Sequence, residues 1–339
     1  ATIDGNIALL DDLSSNTSQT ATCAFTITVA DAVTVTTGKT VVDATSEATV
    51  AFTTGIVDSL ANCIDTGAIH SNLTAIKTKD SDININLGTI NTITASQIAH
   101  VNLVTNVTTG TVTATIDGNI AELDDLSANA SQAGTCAFTI TVADAVTVTT
   151  GKSVVDATSV TAITFTTGIS DTLANCIDNN AIHGDLTAIK TKDSDIDITL
   201  AAINTITASQ ITHLNLVTDV TTGTVTTTIN GNIEELDDLS SNTDQTATCA
   251  LTITVADAAT VTQGKSVVDA TSVGTVAFTT GLTGDLSTYI ASGANTIHAD
   301  FTAIHGKDND INIAINADAS MSDDKVTQLN AITALTSGV

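Results

Sequence analysis

The chain repeats itself with a period of 113 residues, and this repeat constrains the fold more than any other feature. The segment ATIDGNIALLDDLSSN at Ala1–Asn16 returns as ATIDGNIAELDDLSAN at Ala114–Asn129 and as TTINGNIEELDDLSSN at Thr227–Asn242. The third copy has drifted and carries a two-residue insertion before His298. Long matches at one fixed period indicate a repeat protein. The three repeat units are 1–113, 114–226 and 227–339.

Each unit divides into four segments of about 28 residues, in which a turn or helix precedes a short strand. In the first segment, Ile7, Leu10 and Leu13 share one helical face and the strand-like run AFTITV follows. The second, ADAVTVTTGKTVVDATS, fits a helix or a strand. The fourth, TASQIAHVNLVTNV, predicts a helix that leads through TTG into the strand TVTATI. In the third segment, the apolar residues at helical spacing before the alternating run DININL are Leu60, Ile64, Ile69, Leu73 and Ile76.

These segments predict a repeat solenoid, because none of them buries its apolar side alone. We expect one continuous parallel β-solenoid or α/β-solenoid of about 12 coils, each of about 28 residues. The chain lacks Pro and contains only 2% aromatic residues. The lack of Pro suits strands that need every backbone N–H group for hydrogen bonds. The scarcity of aromatic residues suits thin coils, whose narrow interior admits few rings. The alternative is three compact domains in tandem, such as β-sandwiches.

The charge balance excludes several classes of function. Acidic residues number 37 against 9 basic ones, which gives a net charge of -28. Such a surface repels nucleic acid and anionic membranes. No apolar run reaches the length of about 18 residues that a membrane-spanning helix needs. No catalytic motif stands out, so we predict that the protein is not an enzyme, does not bind nucleic acid and does not insert into membranes.

The two ends of the chain read as two parts of one coil. The chain ends in TSGV and begins with ATIDGN, whereas the interior reads TTGTVTATIDGN. A second copy that completed this coil would form an open head-to-tail filament. The alternative is that the chain is a segment of a longer array. The predicted polymer interface consists of Ala1, Thr2, Ile3, Ser337, Gly338 and Val339.

Paired carboxylates recur at the entry to a strand in KDSDI and KDNDI. Oxygen ligands of this kind bind Ca²⁺, so Ca²⁺ is the predicted cofactor if there is one. The alternative is a turn in which the Asp side chains bond their own backbone. The candidate calcium ligands are Asp80, Asp82, Asp193, Asp195, Asp308 and Asp310.

The five Cys residues fall at two repeated positions, and Tyr289 replaces the third copy of the second position. We expect buried apolar filler, with a disulfide between subunits as the alternative. The His residues match no zinc or triad pattern and are interpreted as structural or surface residues. The Cys residues are Cys23, Cys136 and Cys249 at the first position, and Cys63 and Cys176 at the second.

Four asparagines lie in N-x-S/T sequons, and glycans are therefore candidate partners. The alternative is that Thr is frequent because it suits strand surfaces. The candidate glycosylation sites are Asn16, Asn72, Asn106 and Asn129.

The pattern D-x-L-A-N-x-I-D, then A-I-x-x-x-L-T-A-I, D-S-D-I and I-T-A-S-Q-I resembles the repeat regions of very large secreted bacterial surface proteins, such as cyanobacterial ones, and of phage structural fibre proteins. The resemblance covers essentially the whole chain. It implies an extracellular or cell-surface structural fibre and no catalytic residues.

Three functions follow as hypotheses. The first is a subunit of an extracellular filament whose partners are identical subunits, head to tail. The second is a stalk segment of a longer adhesin or phage tail fibre. The third is ice binding, because T-x-T on a flat solenoid face can match an ice lattice.

Overall fold

The computed structural model describes residues 1–160, 163–291, 296–318 and 320–336. It is an α/β protein with several parallel sheets. The chain divides into two compact units, the first formed by residues 1–167 with 191–193 and the second by residues 168–190 with 194–339. Each unit is described by itself.

The first unit alternates short strands and helices. Its strands are β1 Thr2–Gly5, β2 Thr26–Val29, β3 Val50–Phe52, β4 Ile56–Val57, β5 Ile64–Asp65, β6 Ala68–Ile69, β7 Ile85–Ile90, β8 Thr111–Gly118, β9 Thr135–Val142 and β10 Ile163–Phe165. Its helices are α1 Ile7–Leu10, α2 Val35–Asp43, α3 Leu60–Cys63, α4 Ser71–Lys79, α5 Ala95–Val107, α6 Ile120–Leu123 and α7 Val148–Asp156, with 3-10 turns at Asn16–Ser18 and Asn129–Ser131.

The second unit has the same alternation. Its strands are β11 Ile169–Asp171, β12 Ile177–Asp178, β13 Ala181–Ile182, β14 Ile198–Leu200, β15 Thr224–Gly231, β16 Thr248–Val255, β17 Val276–Phe278, β18 Leu282–Gly284 and β19 Ile313–Ile315. Its helices are α8 Gly184–Lys192, whose last two residues belong to the first unit, α9 Ala208–Val220, α10 Ile233–Leu236, α11 Val261–Asp269, α12 Leu286–Tyr289, α13 Ala299–Lys307 and α14 Asp323–Leu335, with 3-10 turns at Leu173–Cys176 and Asn242–Asp244.

The sheets follow the order of the chain. In the first unit, β1-β2-β3 form one sheet and β4-β7-β8-β9-β10 form another. In the second unit, β11-β14-β15-β16-β17 form one sheet and β18-β19 form another. All of these pairs are parallel. The hairpins β5–β6 and β12–β13 are antiparallel, as is the isolated bridge between Ile290 and Ile297. Among the described residues, no sheet closes into a barrel.

The strand registers bring like residues into line. Thr111 pairs with Thr135, and Ile116 pairs with Ile140, 24 residues further along the chain. The second unit repeats this register with Thr224 opposite Thr248. We use the word coil for one strand together with the segment that leads to its parallel neighbour. The expected strand TVTATI thus forms β8, and the core side chains of β8 and β9 alternate with outward threonines.

The second segment of the repeat, for which helix and strand were both open, is the helix α2. Thr34 and Thr37 form a capping box, in which each side chain accepts a hydrogen bond from the other residue's backbone N–H. Gly38 lies on the buried face, where a Cβ atom would meet Ile76 Cδ1 at 3.0 Å. The cap and this close packing outweigh the strand preference of the Val and Thr residues.

The expected helical face of the third segment is correct at Leu60, which is buried on α3, and at its end, but not between them. Leu73 and Ile76 are buried on α4, but Ile64 and Ile69 pair across the hairpin β5–β6. The turn places Gly67 at φ 83° beside Thr66, and a helix does not continue through that conformation. In the first segment the helix α1 is shorter than predicted, because it ends at Leu10 before Leu13.

Candidate functional site: the contacts between coils

Side chains from one coil bind the backbone of the coil before it, and these contacts recur along both units. Each carboxylate or amide oxygen accepts a hydrogen bond from a backbone N–H that lies 23 to 30 residues away. In the first unit the pairs include Asp31 with Ile7 (2.7 Å), Asp58 with Val35 (2.9 Å), Asp80 with Phe52 (2.9 Å) and Asp144 with Ile120 (2.7 Å). In the second unit they include Asp257 with Ile233 and Asp308 with Phe278, both at 2.7 Å.

Buried threonines make a second set of these bonds. Thr158 accepts from Phe138 N at 2.8 Å and donates to Phe138 O at 2.8 Å. Thr108 donates to Ile83 O at 2.6 Å. Every fully buried polar residue in the described part of the chain is a threonine. Each such bond stabilises the fold by about 0.5–1.5 kcal/mol, so these buried threonines have a structural role.

The helix α5 makes the largest group of bonds to the coil that follows it. Asn102 accepts from Ser127 N at 3.0 Å and donates to Asp125 O at 3.2 Å. Thr105 donates to Gln132 Oε1 at 2.6 Å. In the second unit, α9 repeats these bonds. Asn215 accepts from Ser240 N and donates to Asp238 O, and Thr218 donates to Gln245 Oε1. One contact is therefore built twice, once inside each unit.

The side chains of the first coil are more exposed than their counterparts in interior coils. We define the N-terminal face as Ile3, Leu9, Leu13, Cys23 and Phe25. Leu9 is 74% exposed, and the other four are half-buried. Their interior counterparts at Ile116, Leu126, Cys136 and Phe138 are at most 4% exposed.

The last helix shows the matching difference. We define the C-terminal face as Met321, Val326, Leu329, Asn330 and Thr333. Met321 is 54% exposed and Val326 is 46% exposed, whereas Ile93, Ile98 and their second-unit counterparts are at most 3% exposed. Thr333 is exposed, although Thr105 and Thr218 are buried.

The predicted interface residues lie partly within these regions. Ala1 and Thr2 are exposed and Ile3 is half-buried at the start of the edge strand β1. Ala1 O accepts from Thr26 N at 2.9 Å, which holds the terminus against β2. The other three residues of the predicted interface, Ser337, Gly338 and Val339, lie outside the described residues.

The candidate calcium ligands divide into an inner and an outer carboxylate. The inner carboxylates each accept a hydrogen bond of 2.7–2.9 Å from the backbone N–H of a Phe residue. They are Asp80, Asp193 and Asp308. Their partners in the motif, Asp82, Asp195 and Asp310, are exposed. Burial raises the pKa of Asp80 above its ordinary value, and the adjacent Asp82 carboxyl raises it further, against the lowering effect of the Phe52 N–H.

An open cleft of about 490 Å³ adjoins Asp80, Asp82 and Asn84 in the first unit. Within the described residues, no three or more His, Cys, Asp or Glu side chains come together as a metal site. The inner carboxylate thus has a structural role that the turn interpretation only partly anticipated. Calcium binding here stays a prediction.

All five Cys residues are free thiols. Cys63, Cys136, Cys176 and Cys249 are buried, whereas Cys23 is half-buried. Burial raises the pKa of Cys136 and Cys249 to about 11 and that of Cys63 and Cys176 to about 12. Buried thiols of this kind react slowly, because the thiolate is the nucleophile.

Several asparagines and histidines have roles that the sequence motifs did not reveal. Asn16 and Asn129 each accept from a Cys N–H seven residues later, and Asn106 accepts from Ala133 N at 3.1 Å. Asn72 is half-exposed at the start of α4. His70 Nδ1 accepts from Asn72 N and caps α4, a role repeated at His183 and His298. Glycosylation of the sequons stays a prediction.

In the described part of the chain, no helix is long and apolar enough to cross a membrane. The chain matches no protein-family model, no curated protein and no solved structure. The arrangement of the coils and their contacts is therefore the basis for any functional conclusion.

Proposed function

We propose that the protein is structural, a subunit of an extracellular fibre whose coils stack as an α/β-solenoid. The observation that carries this proposal is the contact between coils. Backbone registers and side-chain hydrogen bonds of one kind recur inside each compact unit. They run from the bond that Asp31 accepts from Ile7 N to the bond that Asp308 accepts from Phe278 N. A contact of this kind is made with the adjacent coil alone, so the stack has no inherent limit to its length.

The repeated residues support a structural role more than a chemical one. The side chains of the repeated Asp, Asn and Thr positions are used to hold neighbouring coils. The repeated thiols at Cys136 and Cys249 are buried, and burial raises their pKa values to about 11. The resemblance to the repeats of secreted surface proteins and phage fibres supports the extracellular location.

Electron microscopy of the purified 339-residue chain tests the proposal. A fibre of one chain per step, with about 12 coils at a spacing of about 4.8 Å, advances by roughly 58 Å per subunit. We expect unbranched fibres at high protein concentration and 150 mM salt. Discrete elongated particles would contradict the filament and favour a stalk within a longer adhesin or tail fibre.

Ice binding is a second candidate, because outward threonines on neighbouring strands stand in register. Thr115 of β8 lies between Thr89 of β7 and Thr139 of β9, at the strand spacing of about 4.8 Å. The adjacent position interrupts this row, because Thr113 lies opposite Ala137. Thermal hysteresis measured on the wild-type chain and on Thr115→Lys tests this function, and an equal absence of hysteresis in both would reject it.

A further inference from the structure

The contact that α5 and α9 make with the coil after each of them defines two complementary surfaces. One surface is the side of a helix that carries an Asn and a Thr three residues apart, as in Asn102 and Thr105. The other is the start of a repeat unit, which supplies Ser127 N and Gln132 Oε1. The chain builds this joint once within each of the two compact units. Both surfaces are therefore known in their bound form.

The last helix carries the first surface. In α14, Asn330 and Thr333 stand where α5 has Asn102 and Thr105, and Leu329 stands where α5 has Val101. Asn330 and Thr333 are exposed. Above them, Met321 takes the place of Ile93, which in the interior lies against the Gly of β8.

The first coil carries the second surface. Ser14 and Gln19 stand where the second repeat has Ser127 and Gln132. One residue there departs from the interior pattern: the interior copies have Glu122 and Glu235, and the first copy has Leu9. One carboxylate oxygen of Glu235 is fully buried, so this position is covered in the bound form. An apolar residue at a covered position favours association, because burying a carboxylate there is costly.

We propose that the C-terminal face of one chain docks on the N-terminal face of a second copy and repeats the contact of α5. The inference rests on the proposed function and specifies its joint. Asn330 binds Ser14 N and Asp12 O, and Thr333 donates to Gln19 Oε1. Met321 packs over Gly5, whose interior counterpart Gly118 lies close to Ile93. A second copy is the occupant because one chain carries both halves of a contact that it already uses twice.

The charges at the joint predict a dependence on salt. Asp323 and Asp324 begin α14, and Asp12 lies on the opposing coil. The nearby Lys325 already pairs with Asp318 at 2.7 Å on its own chain. The joint therefore brings carboxylates together, and screening over a Debye length of about 8 Å at physiological salt eases their repulsion. We expect weaker docking at 10 mM than at 150 mM salt.

Cys23 reports on the joint, because it is the half-buried thiol of the five and lies on the N-terminal face. The unassembled wild-type chain should react with a maleimide at one thiol, which peptide mapping should assign to Cys23. On docking, Cys23 takes the environment of Cys136, and we expect its labelling to slow by about tenfold or more. Labelling is compared at low and high protein concentration, with fibres counted by electron microscopy in the same samples.

Two blocked chains make the test specific. Val326→Asp blocks the C-terminal face, and Ile3→Asp blocks the N-terminal face, because Ile116, the interior counterpart of Ile3, is fully buried. Val326 is exposed and Ile3 is half-buried in the unassembled chain, and circular dichroism of each blocked chain checks that it is folded. Thr327→Asp is the matched control, because Thr327 and its counterparts Ala99 and Thr212 are all exposed. Each blocked chain alone should stay monomeric, and the control should assemble like the wild type.

A 1:1 mixture of the two blocked chains should give dimers that do not grow, in which Cys23 is protected only on the Val326→Asp chain. Fibres whose Cys23 still reacts freely, or fibres formed equally well by the blocked chains, would overturn the joint and leave the fibre proposal standing. A wild-type chain that stays monomeric at every concentration and salt, with Cys23 reactive, would overturn both.

Discussion

One octapeptide, TCAFTITV, occurs in two places with two different outcomes. At Thr135–Val142 all eight residues form the strand β9. At Thr22–Val29 only the last four form the strand β2. The difference lies in the neighbour, because β9 pairs along its length with the eight residues of β8, whereas β2 pairs with the four residues of β1.

The same comparison holds for burial. Phe138 is 1% exposed and its counterpart Phe25 is half-buried, although their local sequences are identical. The adjacent coil thus decides how much of each coil is ordered and covered. We therefore expect the stability of the chain to be the sum of coil and nearest-neighbour terms, as in repeat proteins. Four tests by substitution break or sharpen the comparison, in decreasing order of expected effect.

The largest effect should come from Ile116, compared with Ile3. Ile116 is fully buried in β8, whereas Ile3 is half-buried in β1. We expect Ile116→Ala to lower the free energy of unfolding by about 2–5 kcal/mol and Ile3→Ala by less than about 1 kcal/mol. Urea denaturation followed by circular dichroism on unassembled chains measures both. Equal losses would show that the preceding coil does not determine burial.

Gly118 and Gly5 form the next pair. A Cβ atom on Gly118 would lie 2.7 Å from Ile93 Cγ2, whereas on Gly5 its nearest neighbour is Leu10 Cγ at 3.5 Å. We expect Gly118→Ala to destabilise the chain by about 1–3 kcal/mol. Gly5→Ala should change stability by less than about 0.5 kcal/mol. Thermal unfolding of the two variants provides the measurement, and the reverse order would contradict the assigned packing.

Asn102 and Asn330 occupy equivalent positions, but Asn102 is half-buried against the next coil, whereas Asn330 is exposed. Asn102 makes two hydrogen bonds to the next coil. We expect Asn102→Ala to cost about 1–2 kcal/mol. Asn330→Ala should cost nothing measurable in the unassembled chain and should weaken assembly. Unfolding at low concentration and sedimentation at high concentration separate the two effects, and an unassembled Asn330→Ala chain with lowered stability would argue against the equivalence.

The smallest effect concerns pH. Burial, together with the nearby Asp82 carboxyl, raises the pKa of Asp80 in the folded chain, and burial and Asp310 do the same at Asp308. A raised folded pKa means that the folded state binds the proton more tightly than the unfolded one. The resulting stability is present below about pH 4 and is lost as the pH rises through the folded pKa. We expect Asp82→Asn to reduce this loss of stability with rising pH. The change should be less than about 1 kcal/mol, because the sites are partly exposed.

Unfolding midpoints between pH 3 and pH 7 for wild type, Asp82→Asn and the exposed control Asp65→Asn measure this effect. An unchanged pH profile in Asp82→Asn would show that the two carboxyl groups do not interact. Adding millimolar Ca²⁺ to the same samples tests the calcium prediction. A rise in the midpoint of the wild type that Asp82→Asn lacks would support a site at this pair.

The periodic features of the chain were predictable from sequence. The helix α5 has Thr94 and Gln97 at capping-box spacing, and β8 alternates apolar and Thr residues. The hairpin at Ile64–Ile69 was missed because its apolar spacing imitates a helix, while the turn at Thr66 and Gly67 decides the structure.

The roles of single polar residues were not predictable from local pattern. Asp80 was interpreted as a calcium ligand or a turn residue and Asn102 carries no sequence motif, yet each binds a backbone group 23 to 28 residues away. Such partners appear only when the stacking register is known. The half-buried Cys23 beside the buried Cys136 is another such case, because the two have identical flanking sequences from Thr22 and Thr135 onward.

Diffraction from aligned fibres of the wild-type chain tests the central claim most directly, because it reads the direction of the strand ladder. The account predicts a reflection at about 4.8 Å along the fibre axis and an axial repeat of roughly 58 Å, or twelve coils per chain. A 4.8 Å reflection perpendicular to the axis, or material that forms no fibres to align, would contradict it.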